Sequence, residues 1–283
     1  MRIWDAATGH PIGNPLFHTP SRAPFTGYSV NDPFFNPGSV NAVSMGCVAG
    51  RDIIVSGGTD GRVRIWYATT GQATKTIDGH QSTVYGVAVG RAAGRDLIVS
   101  GGNDRTVQTW DTAGQPIGSP IAHTGSVKAV AVGRVAGQDI IVSGTGDCNV
   151  RIWDAITRKR IGVLITCHTR GVNAVAVGRD IIASGGDDMT VQVWDAATGR
   201  PVGAPLIGHT RPVNAIAVGR AAGRDIIVSG SDDGTVRIWD AAGRLLEVLD
   251  QLLPVNAVAL SSNGHLYVAA GLSICAYASP GSA

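Results

Sequence analysis

Short runs of alternating apolar and polar residues, separated by turns, recur along most of the chain. The stretch 208–240 (GHTRPVNAIAVGRAAGRDIIVSGSDDGTVRIWD) contains three such runs, namely Val213–Val218, Asp225–Ser229 and Thr235–Trp239. The first and third runs alternate as the strands of a half-buried sheet do, whereas residues 226–228 are apolar on both faces. A unit of this size cannot bury both faces of its own small sheet, so the pattern predicts neighbouring copies of the unit.

Four residue types recur at constant positions in these copies. Trp stands at positions 4, 66, 110, 153, 194 and 239, which are 62, 44, 43, 41 and 45 residues apart. An Asp stands six residues before each of the last five Trp, a Ser stands ten residues before, and a His opens four of the units. The four complete sets are His80/Ser100/Asp104/Trp110, His123/Ser143/Asp147/Trp153, His168/Ser184/Asp188/Trp194 and His209/Ser229/Asp233/Trp239.

This pattern, which opens on Gly-His and closes on Trp-Asp in its best-preserved copies, resembles the WD-repeat family of β-propellers. The resemblance covers nearly the whole chain and implies an all-β fold of four-stranded antiparallel blades, with strands named a to d from the channel outward. It also implies that each His-Ser-Asp-Trp set is a structural tetrad, in which every buried polar group finds a hydrogen-bond partner. Ser, His and Asp also form the catalytic triad of hydrolases. A nucleophile is needed only once, however, and the set is complete four times, so we predict no catalytic residue.

The repeats predict a single propeller domain over residues 1–283. Residues 1–16 supply c- and d-type strands, residues 39–249 supply five regular repeats, and residues 254–277 form a degenerate last repeat. Six blades are favoured, with the N-terminal residues beside the last repeat, because closure of the ring removes a costly open sheet edge. An incomplete ring of seven blades is the alternative.

The segment 18–38 interrupts the repeats. His18 lies 38 residues before Ser56, whereas three of its counterparts lie 20 residues before theirs, so about 18 residues are inserted. The insert contains four Pro and several aromatic residues, and this aromatic density argues against plain disorder. Long loops in compact domains are often functional. The sequence leaves open a surface loop packed against the propeller and a binding loop.

The second residue of each strand a should lie near the channel mouth, where WD-repeat proteins commonly contact their partners. Tyr85 is the only aromatic residue at these positions and Lys128 is the only charged one. Asn103 precedes the Asp of its tetrad and should lie on the same face. We therefore predict a partner-binding patch of Tyr85, Lys128, Asn103, Asn41, Asn173 and Asn214. The alternative is that these side chains are merely solvated.

Composition narrows the function further. The formal net charge is +2, and the Arg residues of the a–b turns are accompanied by Asp, so we predict no nucleic-acid partner. No signal peptide is visible and no apolar run approaches the ~20 residues of a membrane span, so we predict no membrane partner and a cytoplasmic location. The four Cys lack CxxC spacing, and we expect neither a metal nor a cofactor. Much Arg, Ala and Gly would suit a GC-rich bacterial genome.

The sequence thus predicts a non-enzymatic scaffold for protein–protein interaction, with a rigid face and an inserted loop that bind a protein or another domain of a longer chain. One alternative is a propeller enzyme with a site at the channel mouth, where the Asn, Tyr and Lys residues provide no cluster of acids and histidines. The other alternative is a fragment of a longer repeat protein without independent function, because the chain starts inside a repeat.

Overall fold

The computed structural model describes residues 3–4, 11–12, 39–166, 168–221, 224–261, 264–271 and 273–277. Within these ranges there is no helix, and hence none that is long and apolar enough to cross a membrane. The insert 18–38 and most of residues 1–16 lie outside the described residues. The chain divides into two compact units, Met1–Val127 and Lys128–Ala283, and each unit is described separately below.

The first unit contains two complete four-stranded antiparallel blades, which follow a two-stranded N-terminal sheet. In that sheet Trp4 lies opposite Pro11, and the same kind of pairing joins Trp110 to Pro116 in the second blade. The strands are β1 (Ile3–Trp4), β2 (Pro11–Ile12), β3 (Val40–Val48), β4 (Arg51–Gly58), β5 (Arg62–Tyr67), β6 (Ala73–Asp78), β7 (Val84–Ala92), β8 (Arg95–Gly102), β9 (Thr106–Trp110) and β10 (Ile121–Ala122). The first blade is β3–β6 and the second is β7–β10.

The second unit carries four further blades, which begin with β11 at the boundary between the units. The strands are β11 (Val127–Val135), β12 (Gln138–Thr145), β13 (Asn149–Asp154), β14 (Arg160–Thr166), β15 (Val172–Val177), β16 (Ile181–Gly186), β17 (Val191–Asp195), β18 (Val213–Ala221), β19 (Arg224–Ser231), β20 (Thr235–Asp240), β21 (Leu245–Asp250), β22 (Val255–Leu260), β23 (Leu266–Ala270) and β24 (Ser273–Tyr277). In the fourth blade, β15–β17, the outer strand is reduced to two bridges, Trp194 with Pro201 and Val191 with Leu206. The fifth blade is β18–β21, and the sixth is β22–β24.

The core of each unit lies between consecutive blades. The second strand of a blade carries an apolar run that is buried on both faces, and Val55 and Val228 at its centre are fully buried. The next blade packs onto this strand through a glycine that leaves room for a valine. A Cβ on Gly57 would lie 2.5 Å from Cγ1 of Val84, and a Cβ on Gly230 would lie 2.4 Å from Cγ1 of Val255. Close packing of the blades therefore depends on glycine at these positions.

The predicted fold class is confirmed: the chain is an all-β propeller with six antiparallel blades. The single-domain organisation and closure of the ring by residues 1–16 stay predictions. The degenerate last repeat, for which the sequence retains only the apolar strand pattern, forms the sheet β22–β24 with Val255 opposite Ala270. Strand patterning is thus sufficient to form a blade without its tetrad residues.

Candidate interaction site

A chain of hydrogen bonds joins the four recurring residues of the second blade. The indole N–H of Trp110 donates to Oγ of Ser100 over 2.9 Å, and this Oγ lies 2.7 Å from Nε2 of His80. Nδ1 of His80 lies 2.9 Å from a carboxylate oxygen of Asp104. Because the carboxylate can only accept, Nδ1 of His80 is assigned as the donor to Asp104.

The fourth and fifth blades repeat this arrangement. His168 lies 2.9 Å from Asp188 and 2.8 Å from Ser184, and Trp194 donates to Ser184 over 3.3 Å. In the fifth blade His209 lies 3.0 Å from Asp233 and 2.8 Å from Ser229, and Trp239 donates to Ser229 over 3.0 Å. The His side chains are almost fully buried. Each set joins the loop before strand a to the b–c turn of the same blade.

The Asp of the first and third blades accepts from an Arg four residues further along. Arg64 donates to Asp60 over 2.7 Å, and Arg151 donates to Asp147 over 2.8 Å. The Trp–Ser contact is kept in both blades: Trp66 donates to Ser56 over 2.8 Å and Trp153 donates to Ser143 over 3.0 Å. His123 belongs to the first unit, where its Nδ1 lies 3.1 Å from the backbone oxygen of Ile121.

Threonine two residues after the tetrad Asp completes the second, fourth and fifth sets. The hydroxyl groups of Thr106, Thr190 and Thr235 donate to Asp104, Asp188 and Asp233 over 2.9, 2.9 and 2.7 Å. Sequence analysis missed these threonines, although the spacing Asp-x-Thr is visible in the sequence. The first and third blades have Arg62 and Asn149 at this position, and in these two blades an Arg reaches the carboxylate.

In the fifth blade the carboxylate of Asp233 already accepts hydrogen bonds from Thr235 and His209, and Arg237 stands four residues after it. Nε of Arg237 is buried and has no hydrogen-bond partner within the described residues. The equivalent residue of the second blade is Gln108, whose amide donates to the backbone oxygen of Gly79 over 2.6 Å. The guanidinium of Arg237 is therefore not paired with Asp233, but its positive charge acts on the imidazole of His209.

The pKa values of the fifth tetrad are shifted by this environment. Burial alone would raise the pKa of Asp233, but the backbone N–H of Thr210, the hydroxyl and N–H of Thr235 and the ring of His209 outweigh it and lower the pKa to about 2. Burial lowers the pKa of His209 below 6.5, and the positive charge of Arg237 adds to this effect against the attraction of Asp233. The carboxylate is therefore charged and the imidazole neutral at pH 7.

We expect the free energy of unfolding to fall in two steps as the pH is lowered. The pKa of His209 is lower in the folded state, so its contribution is complete above pH 6.5 and is lost as the pH falls below that value. The contribution of Asp233 is complete above pH 3.8 and is lost as the pH falls towards 2; the shift corresponds to about 2 kcal/mol. Urea unfolding at a series of pH values and an NMR titration of His209 measure both steps. Arg237→Gln should raise the pKa of His209, and a wild-type pKa at or above 6.5 would contradict this account.

Three of the predicted partner-binding residues lie in the first unit. Asn41, Tyr85 and Asn103 are all exposed. The amide of Asn41 donates to the backbone oxygen of Val84 over 3.1 Å, and Asn103 donates to Ser82 over 3.2 Å. The ring of Tyr85 is 37% exposed. The two amides are thus held in place by hydrogen bonds, while Tyr85 is accessible.

The other three predicted residues lie in the second unit, where they form one polar network. Nζ of Lys128 lies 2.8 Å from Oδ1 of Asn173 and 3.1 Å from Oδ2 of Asp187. Asn173 also donates to Asp187 over 2.6 Å, and Asn214 donates to Asp232 over 2.6 Å. Burial would raise the pKa of Asp187, but hydrogen bonds from Asn173 and Lys128 lower it. Lys128 is therefore ion-paired, and sequence analysis missed this because Asp187 is 59 residues away.

The a–b turns carry ion pairs between their own Arg and Asp residues. Arg91 pairs with Asp96 at 3.2 Å, Arg134 with Asp139 at 3.7 Å and Arg220 with Asp225 at 3.1 Å. The Arg side chains are more than half exposed, so these pairs contribute little to stability. They do reduce the positive field of these hairpins. Among the described residues no group of three His, Cys, Asp or Glu is placed to hold a metal ion.

Six antiparallel blades, three of which contain a hydrogen-bonded His-Ser-Asp-Trp set among the described residues, define a repeat-built β-propeller. The sequence profile described as "WD domain, G-beta repeat" matches residues 34–67, 71–111, 114–154, 158–195 and 199–240. These matches cover well over half of the chain, so the protein belongs to the WD-repeat family.

One solved structure is similar to this chain over most of its length. The crystal structure of the computationally designed Ika8 protein is similar at 30% sequence identity and a TM-score of 0.66, over 85% of this chain and 71% of that one. No curated protein sequence matches the chain. The comparisons therefore establish the family and the fold, and the function has to be argued from the surface.

Proposed function

We propose that the protein is a non-enzymatic interaction scaffold, which binds a protein partner at the face formed by the starts of its a strands. WD-repeat propellers commonly serve as such scaffolds. The observation that carries the proposal is that the buried Ser, His and Asp groups are used within the tetrads themselves. A Ser-His-Asp set whose Ser accepts from a buried Trp and whose His is enclosed has no room for a substrate.

Tyr85 is the central residue of the proposed binding face. It occupies a position where other blades carry Asn or Lys, and its ring is exposed beside the ordered amides of Asn41 and Asn103. Tyrosine is among the residues that contribute most to interfaces, because it buries a large area at a small cost in side-chain entropy. In the second unit Lys128, Asn173 and Asn214 form a pre-ordered polar cluster, which we propose as a further contact region for a partner.

We expect Tyr85→Ala to weaken partner binding tenfold or more, which corresponds to about 1.4 kcal/mol. The partner is first isolated from the native host by affinity purification and mass spectrometry, and its Kd is then measured by calorimetry. Because Tyr85 lies at the surface, the melting temperature should not change. Lys128→Glu should weaken binding to a similar degree, but it also breaks the ion pair with Asp187, so its melting temperature has to be measured too.

Arg91→Ala and Arg220→Ala are the matched controls, because both residues are exposed in a–b turns at the opposite end of their strands. They should leave the Kd unchanged. If these controls weaken binding and Tyr85→Ala does not, the a–b turns form the binding face and the proposal is wrong.

A further inference from the structure

The outer strand of the fifth blade, β21, exposes apolar side chains along a sheet edge. It follows β20 at the end of the sheet order β18-β19-β20-β21. Leu245, Leu246 and Val248 are 41%, 44% and 41% exposed. The strand has six residues and contains no Pro and no Lys. A long apolar edge strand is a template for pairing with another strand, and natural proteins usually protect such edges.

The chain protects the equivalent edge in three other blades. Leu249 lies opposite Val236, as Ile121 does opposite Val107 and Leu206 opposite Val191. The residue before each of these is Val248 in the fifth blade, but Pro120 and Pro205 in the second and fourth blades. In the first blade the corresponding residue is Thr76, next to Lys75, and both are exposed. Proline removes a backbone donor and lysine repels an incoming strand, so β21 lacks both protections. In the third blade Ile165 lies opposite Val150, and the residue before it is Leu164, so proline is absent from this position of β14 as well.

The free backbone groups of β21 can be assigned from the ladder. The N–H of Gln251 donates to the backbone oxygen of Gly234 over 2.7 Å. Hydrogen bonds of an antiparallel pair involve every second residue, so Leu249 and Glu247 direct their backbone groups towards β20. Val248 and Asp250 then direct theirs towards the open edge, whereas Leu246 lies at a register shift between β20 and β21 and is left out of this alternation. Val248 therefore has both an exposed apolar side chain and free backbone groups.

The charges on β21 define the kind of strand that fits it. Glu247 and Asp250 are exposed, and neither forms an ion pair or a side-chain hydrogen bond within the described residues. In the first blade the residue equivalent to Asp250 is Asp78, which pairs with Arg62 at 2.5 Å. The residue opposite Asp250 is Thr235, which carries no charge. Arg244, just before the strand, already pairs with Asp240. The edge is therefore apolar and acidic.

We propose that β21 is a second binding site, which takes an extended peptide segment as an added β-strand, with apolar residues and two basic residues three positions apart. Glu247 and Asp250 lie on opposite faces of the strand, so the two basic side chains also point to opposite faces. Backbone hydrogen bonds to Val248 and Asp250 hold the segment. Its apolar side chains cover the exposed leucines and Val248, and its Lys or Arg side chains meet Glu247 and Asp250. This site is separate from the face around Tyr85, so it goes beyond the proposed function.

The test uses a fluorescein-labelled synthetic probe, acetyl-Thr-Lys-Val-Val-Lys-Val-Thr-amide, whose two Lys are three positions apart, and fluorescence anisotropy with the full chain. We expect saturable binding that Val248→Pro weakens at least tenfold, because proline removes a donor at the open edge but none of the bonds to β20. Proline stands at this position in two other blades, so the variant should fold, and its melting curve verifies this. The matched control Thr76→Pro in β6 and the variant Tyr85→Ala should both bind the probe as the wild type does.

Two further arms keep the proposal falsifiable even if Val248→Pro does not fold. The double variant E247K/D250K should bind the Lys probe at least tenfold more weakly than the wild type. It should instead bind the same probe with Glu in place of each Lys. A probe N-methylated at alternate backbone nitrogens, on the edge that pairs, should not bind. Equal binding of the Lys and Glu probes by the wild type, binding unaffected by N-methylation, or no binding at all would overturn the proposal. Sedimentation that shows a dimer abolished by Val248→Pro would also overturn it, because the occupant would then be a second copy of this chain.

Discussion

Replacing Asp233 by Ala should lower the free energy of unfolding by about 3 kcal/mol, one of the two largest effects we expect of a single substitution. The carboxylate accepts from His209 at 3.0 Å, from the backbone N–H of Thr210 at 2.9 Å and from the hydroxyl of Thr235 at 2.7 Å. Buried donors that lose their acceptor cost about 1–3 kcal/mol, and more when the acceptor is charged. Urea unfolding of the variant and the wild type at neutral pH measures the difference.

Asp250→Ala is the control for this substitution, because that carboxylate is exposed and makes no contact that would be lost. Its effect should stay within about 0.5 kcal/mol. His209→Ala and the double variant complete a cycle, and the double variant should cost clearly less than the sum of the single variants, since both remove the same hydrogen bond. Additive costs, or a loss of partner affinity without a loss of stability, would show that the tetrad is not a structural unit.

Replacing Gly230 by Ala should cost about 2–3 kcal/mol, which is the second large effect. The added Cβ would lie 2.4 Å from Cγ1 and 3.1 Å from Cβ of Val255, which is fully buried, and 3.1 Å from Cγ1 of Val258. Neither valine can turn away without losing its packing against the fifth blade. The effect is measured as a lower urea midpoint with an unchanged slope.

The double variant Gly230→Ala/Val255→Ala separates this clash from other effects of the substitution. Val255→Ala removes the methyl groups that occupy the space above Gly230, so the alanine at position 230 should then be tolerated. The double variant should therefore be no less stable than Val255→Ala alone, to within about 0.5 kcal/mol. A full additional cost in the double variant would mean that glycine is required at position 230 for its backbone rather than for the space.

The sequence was sufficient to predict the blades, because each apolar run is short, alternates and is repeated in phase. It also placed Ser100, Asp104 and Trp110 beside His80, since the same spacing recurs in other repeats. The hydrogen bond from Arg64 to Asp60 was not predicted, because the recurring His, Ser, Asp and Trp do not include the residue four positions after the Asp. The pairing of Lys128 with Asp187 joins two different blades, and no local pattern records such a contact.

The acidic apolar edge of β21 shows a different limit. Its residues, Leu-Leu-Glu-Val-Leu-Asp, follow the pattern expected of any outer strand. Only the register, which aligns Val248 with Pro120 and Pro205, shows that the usual protection is missing. Exposure of both the side chains and the backbone groups is a property of the sheet, and it becomes visible only when the order of the strands is known.

Site-specific photo-crosslinking tests the central claim most directly. A chain with p-benzoylphenylalanine in place of Tyr85 is expressed in the native host and irradiated, and the adducts are separated by mass and identified. The account predicts a discrete protein adduct at position 85 and none when the photoreactive residue replaces Arg91 in an a–b turn. An adduct from position 91 with none from position 85 would contradict the claim that the protein binds its partner at the starts of its a strands.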